Sequence, residues 1–521
     1  MNDAAPNSVS PLLVSTVVSL AAFMEVLDTT IANVALSHIA GSLGASSEES
    51  TWVITSYLVS NGIVLPLSGW LSALLGRKRF FIFCILGFTL TSFMCGVSTS
   101  LPMLIVARLL QGLAGGGLQP MQQAIIKDSF PPEKLGMAFA ITGITTVLAP
   151  ILGPLLGGYI TDSYSWRWIF FINVPVGLFA AFLVKMLVQD PPSAQKQKVE
   201  TIDYIGLGLI ALGLGCLQIV LDKGQQEDWF DSSFIVLFAA LSAAGLILAI
   251  FWLLQQKNPV VKLRLFAIPS FSLPCIMIFF VGFALYSSAT ILPMLVQANF
   301  GYDATLSGLV LSPGGLVTLF MMPLAGRVVT LVQSKYLISF GMLLTAVGMW
   351  AAGLVTPQTD YNTFVLVRIL QVVGLPFLFV PASTLAFSKI SPANSNDASA
   401  IVSLMRNLGG SIGIALVTNK LIHSQQVQQA SLVEHLTAAD SGYTGSLATY
   451  TQAIMNLGMP ASQAATDAMG KIYQELLHQA SILAFRDAYN YVAAICVILG
   501  IVALFMPGNE LKKKNAPAAS H

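Results

Sequence analysis

Charged residues are scarce in this chain. Only 9% of its 521 residues are Asp, Glu, Lys or Arg, whereas 55% are hydrophobic, and soluble domains carry about 25% charged residues. This composition excludes an ordinary soluble protein and indicates a protein of the lipid bilayer. The formal net charge is +1, so the sequence gives no reason to expect nucleic acid as a partner.

Cysteine and histidine are also sparse. The five cysteines all lie inside apolar runs, which indicates neither a disulfide framework nor a zinc site. The five histidines are scattered without the spacing of metal ligands, so we predict no metal and no cofactor. There is no phosphate-binding loop, and the glycine-rich stretch at 206–215 lies in an apolar run, the wrong context for dinucleotide binding. We therefore do not expect an enzyme, and any work that the chain performs would draw on an ion gradient.

Long apolar stretches are abundant. Fourteen of them reach the length of about 20 residues that crosses a hydrocarbon core of roughly 30 Å. The first lacks a basic segment before it and a clear cleavage site, so we interpret it as an uncleaved span. The approximate spans are 12–37, 51–74, 80–98, 102–125, 136–160, 168–188, 203–222, 232–254, 271–297, 304–330, 336–355, 363–387, 398–420 and 487–506. The sequence thus predicts an all-α integral membrane protein with fourteen transmembrane helices.

The basic residues predict the orientation. Seventeen of the 25 Lys and Arg residues fall in one set of loops and at the end of the chain, including Arg77, Lys127, Lys262 and the run at 512–514. Basic residues are retained on the cytoplasmic side of membranes. Both termini are therefore predicted to be cytoplasmic, which requires an even number of spans.

The chain resembles itself at two points. Pro66 and Gly69 align with Pro323 and Gly326 at one constant offset, and VARLLQ recurs as LVRILQ. Such parallel repeats are typical of transporters. We predict an N-terminal six-helix bundle at 1–190, a linker with two inserted helices at 191–256, and a C-terminal six-helix bundle at 257–521 that includes an external segment at about 421–486. We expect the inserted helices to pack peripherally and to leave the central cavity to the two bundles.

Three charged residues interrupt the apolar spans of the first half. Glu25 and Asp28 are three residues apart and share one face of a helix, and Arg108 lies in the fourth span. Each charge near the middle of a bilayer costs roughly 2.5 to 3.5 kcal/mol on insertion scales, so such residues usually pair with each other and have a function. We predict that the two carboxylates partner Arg108 and take part in proton coupling. The alternative is a purely structural ion pair.

Four motifs in order resemble a known family. They are LDTTIANVAL at 27–36, ARLLQGLAGGGLQP at 107–120, APILGPLLGGYI at 149–160 and WRWIFFINVPVG at 166–177. They are similar to those of the fourteen-helix drug:proton antiporter branch of the major facilitator superfamily, and within it to EmrB-type multidrug exporters. Because Asp28 lies inside the first motif, we rank it first as the proton-coupling group.

The resemblance implies a function and its setting. It implies a major facilitator fold in a bacterial inner membrane and proton-coupled export of hydrophobic or amphipathic small molecules. Its implied partners are a periplasmic adaptor protein and an outer-membrane channel.

The loop between the second and third spans departs from the family pattern. Ala73 and Leu74 stand where the superfamily usually has an acidic residue followed by Arg, so the charge contact based on that acid cannot form there. Gly69, Gly76 and Arg77 remain, and we expect them to allow close packing and to keep the loop on the inner side.

The fifth span carries small residues at steps of four, which allow the backbones of two helices to approach closely. Its prolines weaken the helical hydrogen-bond ladder and favour a bend. The resemblance implies that this motif helps to seal the exchange path, and a generic packing groove explains it equally well. The residues in question are Pro150, Gly153, Pro154, Gly157 and Gly158.

Further polar residues are candidates for substrate contact. Gln111 shares a helix face with Arg108, and Arg368 is the counterpart of Arg108 in the second half, where the ninth span offers no acid. Arg368, Arg406 and Tyr286 are predicted to face a substrate, the alternative for the arginines being structural contacts with carbonyl groups.

The external segment has a helical pattern of apolar residues. Met469, Tyr473, Leu476, Ala480 and Leu483 follow one another at steps of four and three, as in a short heptad repeat. The segment is predicted to form a helix that projects from the last span by up to roughly 30 Å. Its apolar stripe either packs against 425–436 as a hairpin or forms an arm on which a partner docks.

Two other functions remain open from the sequence. One is a proton-coupled exporter of a single endogenous metabolite such as a siderophore, a fatty acid or a lipid. The other is a non-transporting channel or sensor, which the buried carboxylates disfavour because a passive scaffold gains nothing from them.

Overall fold

The computed structural model describes residues 10–189, 203–434, 436–437 and 440–506. Within these ranges the chain is helical and has no strand. Thirteen helices are long and apolar enough to cross a membrane, and a bent helix makes fourteen. The predicted all-α fold with fourteen spans is therefore confirmed. Residues 191–202 at the start of the predicted linker segment, His435 and the basic run at 512–514 lie outside the described residues.

The helices are numbered here in chain order, and every helix except α14 is a span. The first eight are α1 (Pro11–Leu43), α2 (Trp52–Leu75), α3 (Arg77–Gly96), α4 (Leu101–Ser129), α5 (Leu135–Ser163), α6 (Trp168–Leu187), α7 (Tyr204–Lys223) and α8 (Ser233–Gln255). The others are α9 (Pro269–Phe300), α10 (Ala304–Val328), α11 (Ser334–Ala352), α12 (Tyr361–Phe387), α13 (Ser395–Val433), α14 (Ser441–Met455) and α15 (Ala461–Ala503).

Irregularities in the spans follow from glycine and proline. The α4 span is interrupted after Gly115, and α12 is interrupted at the equivalent point of the repeat, after Val373. The axis of α5 bends by 41° next to Pro150, because a proline inside a helix lacks the amide hydrogen for the helical bond. The bend predicted for this span is present.

The two six-helix halves meet along two seams. The first half comprises α1–α6, and the second comprises α9–α13 with α15. One seam joins α5 to α10 and α12, and the other joins α2 and α4 to α13. Glycine permits the closest approaches: a Cβ atom on Gly308 would lie 2.7 Å from the backbone of Leu155 across the first seam. Between the seams lies a central cavity.

The inserted helix α7 corrects our expectation of peripheral packing. It lies across the second seam, in contact with both α2 and α13. Ser411 of the second half donates a hydrogen bond to Gln218 at 3.2 Å, and Thr55 of the first half donates one to Asp222. Leu214, Gln218 and Asp222 line the cavity. The reason is physical: polar side chains on α7 cost free energy in lipid, so they face the protein interior.

The second inserted helix, α8, packs on α7 and is mostly exposed on its other sides. The glycine-rich stretch at 206–215 makes this pairing close. A Cβ atom on Gly213 would lie 2.9 Å from the backbone nitrogen of Leu246, and one on Gly245 would lie 2.8 Å from the nitrogen of Gly213. The stretch therefore serves helix packing.

Three helices form what we call the outer cluster: α13 beyond residue 421, α14, and α15 up to residue 486. The α15 helix has 43 residues and is about 64 Å long, so it extends well beyond a hydrocarbon core of roughly 30 Å. Gln429 donates a hydrogen bond to the Tyr473 hydroxyl at 2.7 Å, which ties α13 to α15. The predicted projecting helix is present, and it packs against α13, which includes residues 425–433.

The buried stripe of α15 differs from the predicted one. Met469 and Tyr473 are 45% and 43% exposed, whereas the buried side chains recur at steps of four. They are Ala464, Ala468, Ile472, Leu476 and Ala480. Alanine at three of these positions allows close contact between helices, and a pattern based on large apolar residues alone misses it.

We expect Gly409→Ala to destabilise the protein. A Cβ atom at Gly409 would lie 1.8 Å from the carbonyl oxygen of Phe279 in α9, and overpacking of this kind typically costs about 1 to 3 kcal/mol. The thermal unfolding midpoint in detergent should fall. Gly208→Ala is the matched control, because nothing lies within 4 Å of its Cβ position. Equal midpoints for both variants would contradict this packing.

We expect Gln218→Cys to react with a polar maleimide in nanodiscs, because Gln218 lines the cavity. Leu212→Cys is the control on the same helix: Leu212 is 41% exposed on the outside of the bundle and faces lipid, where a polar reagent does not dissolve. The five native cysteines are buried and set the background. Equal labelling of the two positions would argue against α7 as a cavity wall.

Candidate transport cavity and proton-coupling site

A cavity of about 760 Å³ lies between the halves. Its floor includes Glu25 and Gln119, and its wall extends to His38 and Asp162, whose side chains are about half exposed. We call the face at His38 the outer face and the opposite one the inner face. The cavity is therefore open to the outer face. Its wall is formed by apolar residues and a similar number of polar residues.

The inner face is closed by direct contact between the halves. A Cβ atom on Gly136 of α5 would lie 2.7 Å from the carbonyl oxygen of Gly326 in α10. Nearby, the rings of Phe139 and Phe387 stack with centroids 5.0 Å apart. On the second seam the Lys127 ammonium donates a hydrogen bond to the Ser395 hydroxyl at 2.7 Å.

The loop between α2 and α3 takes part in this closure. Arg77 is buried and forms an ion pair with Asp128 at 2.8 Å, and Gly76 has a φ of +87° that suits glycine. Gly69 lies against Asp397 of α13, where a Cβ atom would come 2.7 Å from the carboxylate. Asp128 on α4 thus supplies an ion pair to this loop in place of the acid absent at residues 73 and 74, whereas Asp397 forms its ion pair with Lys262 at 2.8 Å. Sequence reasoning missed both Asp128 and Asp397.

The motif of α5 packs against α1. A Cβ atom on Gly153 would collide with Thr30, and one on Gly157 would lie 3.1 Å from the Ile31 carbonyl oxygen. Gly158 is buried, while Pro150 and Pro154 line the cavity. The small residues hold α5 against α1, the helix that carries the two buried carboxylates.

Asp28 and Arg108 form a buried ion pair. The Arg108 guanidinium donates to the Asp28 carboxylate at 2.5 Å, and the Gln111 and Asn173 amides donate to its other oxygen at 3.1 and 2.7 Å. Arg108 is fully buried and Asp28 is 2% exposed. Charged and amide donors thus occupy both carboxylate oxygens of Asp28, while the second terminal nitrogen of Arg108 has no hydrogen-bond partner in the described chain. Asn173 belongs to the WRWIFFINVPVG motif, and we had assigned it no role.

Arg108 has further contacts that fix its position. Its Nε donates to the Val53 carbonyl oxygen at 3.0 Å, and its guanidinium lies 4.3 Å from the centroid of the Tyr57 ring. A guanidinium over an aromatic face is stabilised by the ring quadrupole. The predicted pairing of Arg108 with a carboxylate is therefore present, and the partner is Asp28.

Glu25 has a different environment. It lines the cavity and is 2% exposed. Its carboxylate accepts hydrogen bonds from Tyr57 at 3.0 Å, from Asn61 at 3.1 Å and from Gln119 at 2.5 Å. No cation lies within ion-pair distance of it in the described chain. Glu25 thus faces the cavity without a salt bridge, whereas Asp28 lies in one.

The predicted substrate residues separate into two groups. Tyr286 lines the cavity, whereas Gln111, Arg368 and Arg406 are absent from its wall. Arg368 donates to Ser288 at 3.1 Å and to Gln371 at 3.3 Å, within the second half. Its surroundings repeat the arginine and glutamine pairing of the first half without an acid. These three side chains are occupied by contacts inside the protein.

Arg406 contacts the first half. It is fully buried on α13. Its guanidinium donates to the side-chain amide oxygen of Gln119 on α4 and, at 3.4 Å, to the Thr146 hydroxyl on α5. Gln119 was missed by sequence reasoning, although a glutamine inside the ARLLQGLAGGGLQP motif and an apolar span is a signal for it.

Comparisons with known proteins agree with this architecture. The model of the Major Facilitator Superfamily matches residues 18–414. Over 97% of its length this chain is 35% identical to the multidrug export protein EmrB of Escherichia coli K12, 98% of which is covered. It is also 35% identical to the fatty acid resistance protein FarB of Neisseria gonorrhoeae, over 80% of this chain and 82% of FarB.

A solved structure supports the fold. The human organic anion transporter MFSD10 superposes with a TM-score of 0.60 at 13% identity, covering 95% of this chain and 99% of that one. The span count, the two halves around one cavity and the match over residues 18–414 lead to one conclusion. This chain is a multi-pass inner-membrane protein of the Major Facilitator Superfamily and belongs to its EmrB-type branch.

Proposed function

We propose that this protein exports hydrophobic and amphipathic compounds across the inner membrane in exchange for protons. The observation that carries the proposal is the position of Glu25. A carboxylate without a cationic partner lies at the floor of a cavity large enough for a drug-sized molecule. The similarity to a multidrug export protein over almost the whole chain supports the same function.

The two carboxylates have different roles in this proposal. Glu25 binds the proton because it lines the cavity and the side chains that donate hydrogen bonds to it are neutral. Asp28 holds Arg108, which in turn orders α1, α2 and α4 around the cavity. The geometry therefore favours Glu25 over Asp28 as the proton-binding group, which reverses the ranking that the sequence motif suggested.

The transport cycle follows from the open and closed faces. In the outward-open state a proton reaches Glu25 and favours release of the substrate. The inner face then opens, the proton leaves to the cytoplasm, and a new substrate binds. Each ligand drives its step only through a difference in affinity between the two states. Both termini lie in the cytoplasm in this scheme.

One relative suggests a narrower substrate. FarB confers fatty acid resistance by its name, and this chain covers 82% of it. A fatty acid is one of the single metabolites that the sequence left open. Long-chain fatty acids therefore belong in any substrate panel for this protein.

We expect Glu25→Gln to bind substrate but to lose uphill transport, since the amide cannot exchange a proton. Purified protein should release protons when a transported drug is added, and this release should disappear in the variant. In proteoliposomes with an imposed proton gradient, drug and fatty acid uptake should fall to the level of empty liposomes. Asp162→Asn at the cavity mouth is the control and should retain transport.

Asp28→Asn should act on stability. It leaves the Arg108 guanidinium buried without a counter-charge, a change that typically costs about 3 to 5 kcal/mol. A lower thermal midpoint is expected, with or without loss of transport.

Uphill export by Glu25→Gln at the parental rate, in a well-folded protein, would refute the assignment of Glu25 as the proton-binding group.

The outer cluster is the proposed docking site for a periplasmic adaptor protein that leads to an outer-membrane channel. Its surface outside the membrane shows large apolar side chains, among them Leu457 at 84% and Met469 at 45% exposure. Apolar groups exposed to water on a projecting structure are typical of interaction sites. The stripe that faces α13 is already buried, so the docking face is the opposite one.

We expect the double variant Leu457→Lys with Met469→Lys to abolish drug resistance in cells and to leave transport in proteoliposomes intact. The added charges would be desolvated against a partner, whereas transport by the isolated protein does not need one. Gln358→Lys with Asn362→Lys, two exposed polar positions at the outer end of α12 and outside the outer cluster, is the matched control. Loss of both resistance and transport, or retention of both, would count against docking at this face.

A further inference from the structure

A polar connection crosses the closed seam at the cavity floor. Glu25 on α1 accepts a hydrogen bond from the Gln119 amide nitrogen of α4, and the Gln119 amide oxygen accepts one from Arg406 on α13. Glu25 and Gln119 belong to the first half, and Arg406 to the second. All three are buried. The connection therefore joins the two halves through one neutral side chain.

The chemistry of the end groups fixes the direction of the amide. An ionised carboxylate only accepts hydrogen bonds, and a guanidinium only donates them. The amide nitrogen of Gln119 must therefore face Glu25, and its oxygen must face Arg406. Two charges of opposite sign are thus held at the ends of one amide dipole, in an interior where such interactions are strong.

Arg406 has no other counter-charge nearby. It forms no ion pair in the described chain, and its Nε has no hydrogen-bond partner there. A buried cation without compensation is costly. If Glu25 loses its charge, Arg406 is therefore left buried without a counter-charge. Opening of the inner face would expose Arg406 to water and remove this cost.

The same seam leads to the inner face. Gln119 and Lys127 lie eight residues apart on α4, and their partners Arg406 and Ser395 both lie on α13. Eight residues of helix span about 12 Å. The hydrogen bond between Gln119 and Arg406 and the one between Lys127 and Ser395 thus belong to one interface. Weakening the first therefore favours separation of the two helices at the inner face.

The titratable and charged groups around Glu25 are few. Tyr57 of α2, Asp28 of α1 and Arg108 of α4 surround it from the first half, and Tyr286 of α9 and Arg406 of α13 from the second. The charges of the other neighbouring helices are at their ends: Asp162 on α5, Lys185 on α6, and Asp222 with Lys223 on α7. Among the cations, Arg108 is paired with Asp28, so Arg406 is the one that depends on Glu25.

We propose that Gln119 is a positioning residue that couples protonation of Glu25 to opening of the inner face through Arg406. This inference rests on the proposed role of Glu25 in proton binding. While Glu25 is ionised, the link holds the inner seam closed and the cavity open outward. A proton from the outer side removes the charge, and the inner face opens. The order of events is the one that a drug:proton exchanger needs.

The test measures the inner seam directly. Labels at Glu133→Cys and Ser391→Cys, exposed loop positions of the two halves, report their separation in a background without the five native cysteines. In the parent, acidification should raise the fraction of long distances. Glu25→Gln and Gln119→Leu should both show a high fraction at every pH, with no dependence on pH.

Two further variants control for general damage. Gln371→Leu removes another buried glutamine that accepts a hydrogen bond from an arginine, here Arg368, within one half and without an acid, and should keep the parental pH profile. Gln119→Glu places a second carboxylate against Arg406, so one proton no longer removes all the negative charge. Its inner face should open only at lower pH, by about one unit or more. A misfolded protein would not shift in this direction.

The outcomes separate the two proposals. A parental pH profile in Gln119→Leu, with a flat one in Glu25→Gln, would overturn the coupling role and leave proton binding by Glu25 in place. An equally flat pH profile in Gln371→Leu would show that loss of any buried glutamine has this effect. It would also overturn the coupling role of Gln119. A parent whose inner seam does not respond to pH would refute both.

Discussion

Each arginine in the membrane interior must find partners, and this requirement organises both halves. Arg108 meets it with a carboxylate, a carbonyl oxygen and an aromatic ring. Arg368, its counterpart in the repeat, meets it only with neutral groups of its own half. Arg406 reaches across the seam to Gln119. A cation without compensation is costly in this setting. Arg108 alone of the three has an acid as its ion-pair partner in the described chain.

The same cost explains the path of the inserted helices. The two helices inserted between the bundles have no counterpart in the repeat. An apolar helix such as α8 is stable when it faces lipid. The polar residues Gln218 and Asp222 do not allow this for α7, which lies over the seam between α2 and α13 and forms part of the cavity wall. The insertion therefore covers one of the two seams between the halves, and three structural units line the cavity.

The sequence predicted the elements that depend on composition and repetition: fourteen spans, two halves, the bend at Pro150, and the pairing of Arg108 with a carboxylate of α1. These follow from hydropathy, from proline chemistry and from the cost of a lone charge. It did not predict which of two acids faces the cavity, because Glu25 and Asp28 share one helix face and only Asn173, Gln111 and Gln119 on other helices distinguish them. Contacts between distant neutral side chains leave no periodic pattern.

The spacing of the two acids gives each a separate task. One turn of α1 places Asp28 against Arg108 inside the first half, where its charge is fixed by hydrogen bonds on both oxygens. The same turn places Glu25 at the floor of the cavity, where Gln119 links it to Arg406 of the other half. A charge that is fully paired within one half cannot distinguish the two states of the protein, whereas a charge that serves both halves can. Differential stabilisation of this kind is what a proton needs in order to drive a conformational change.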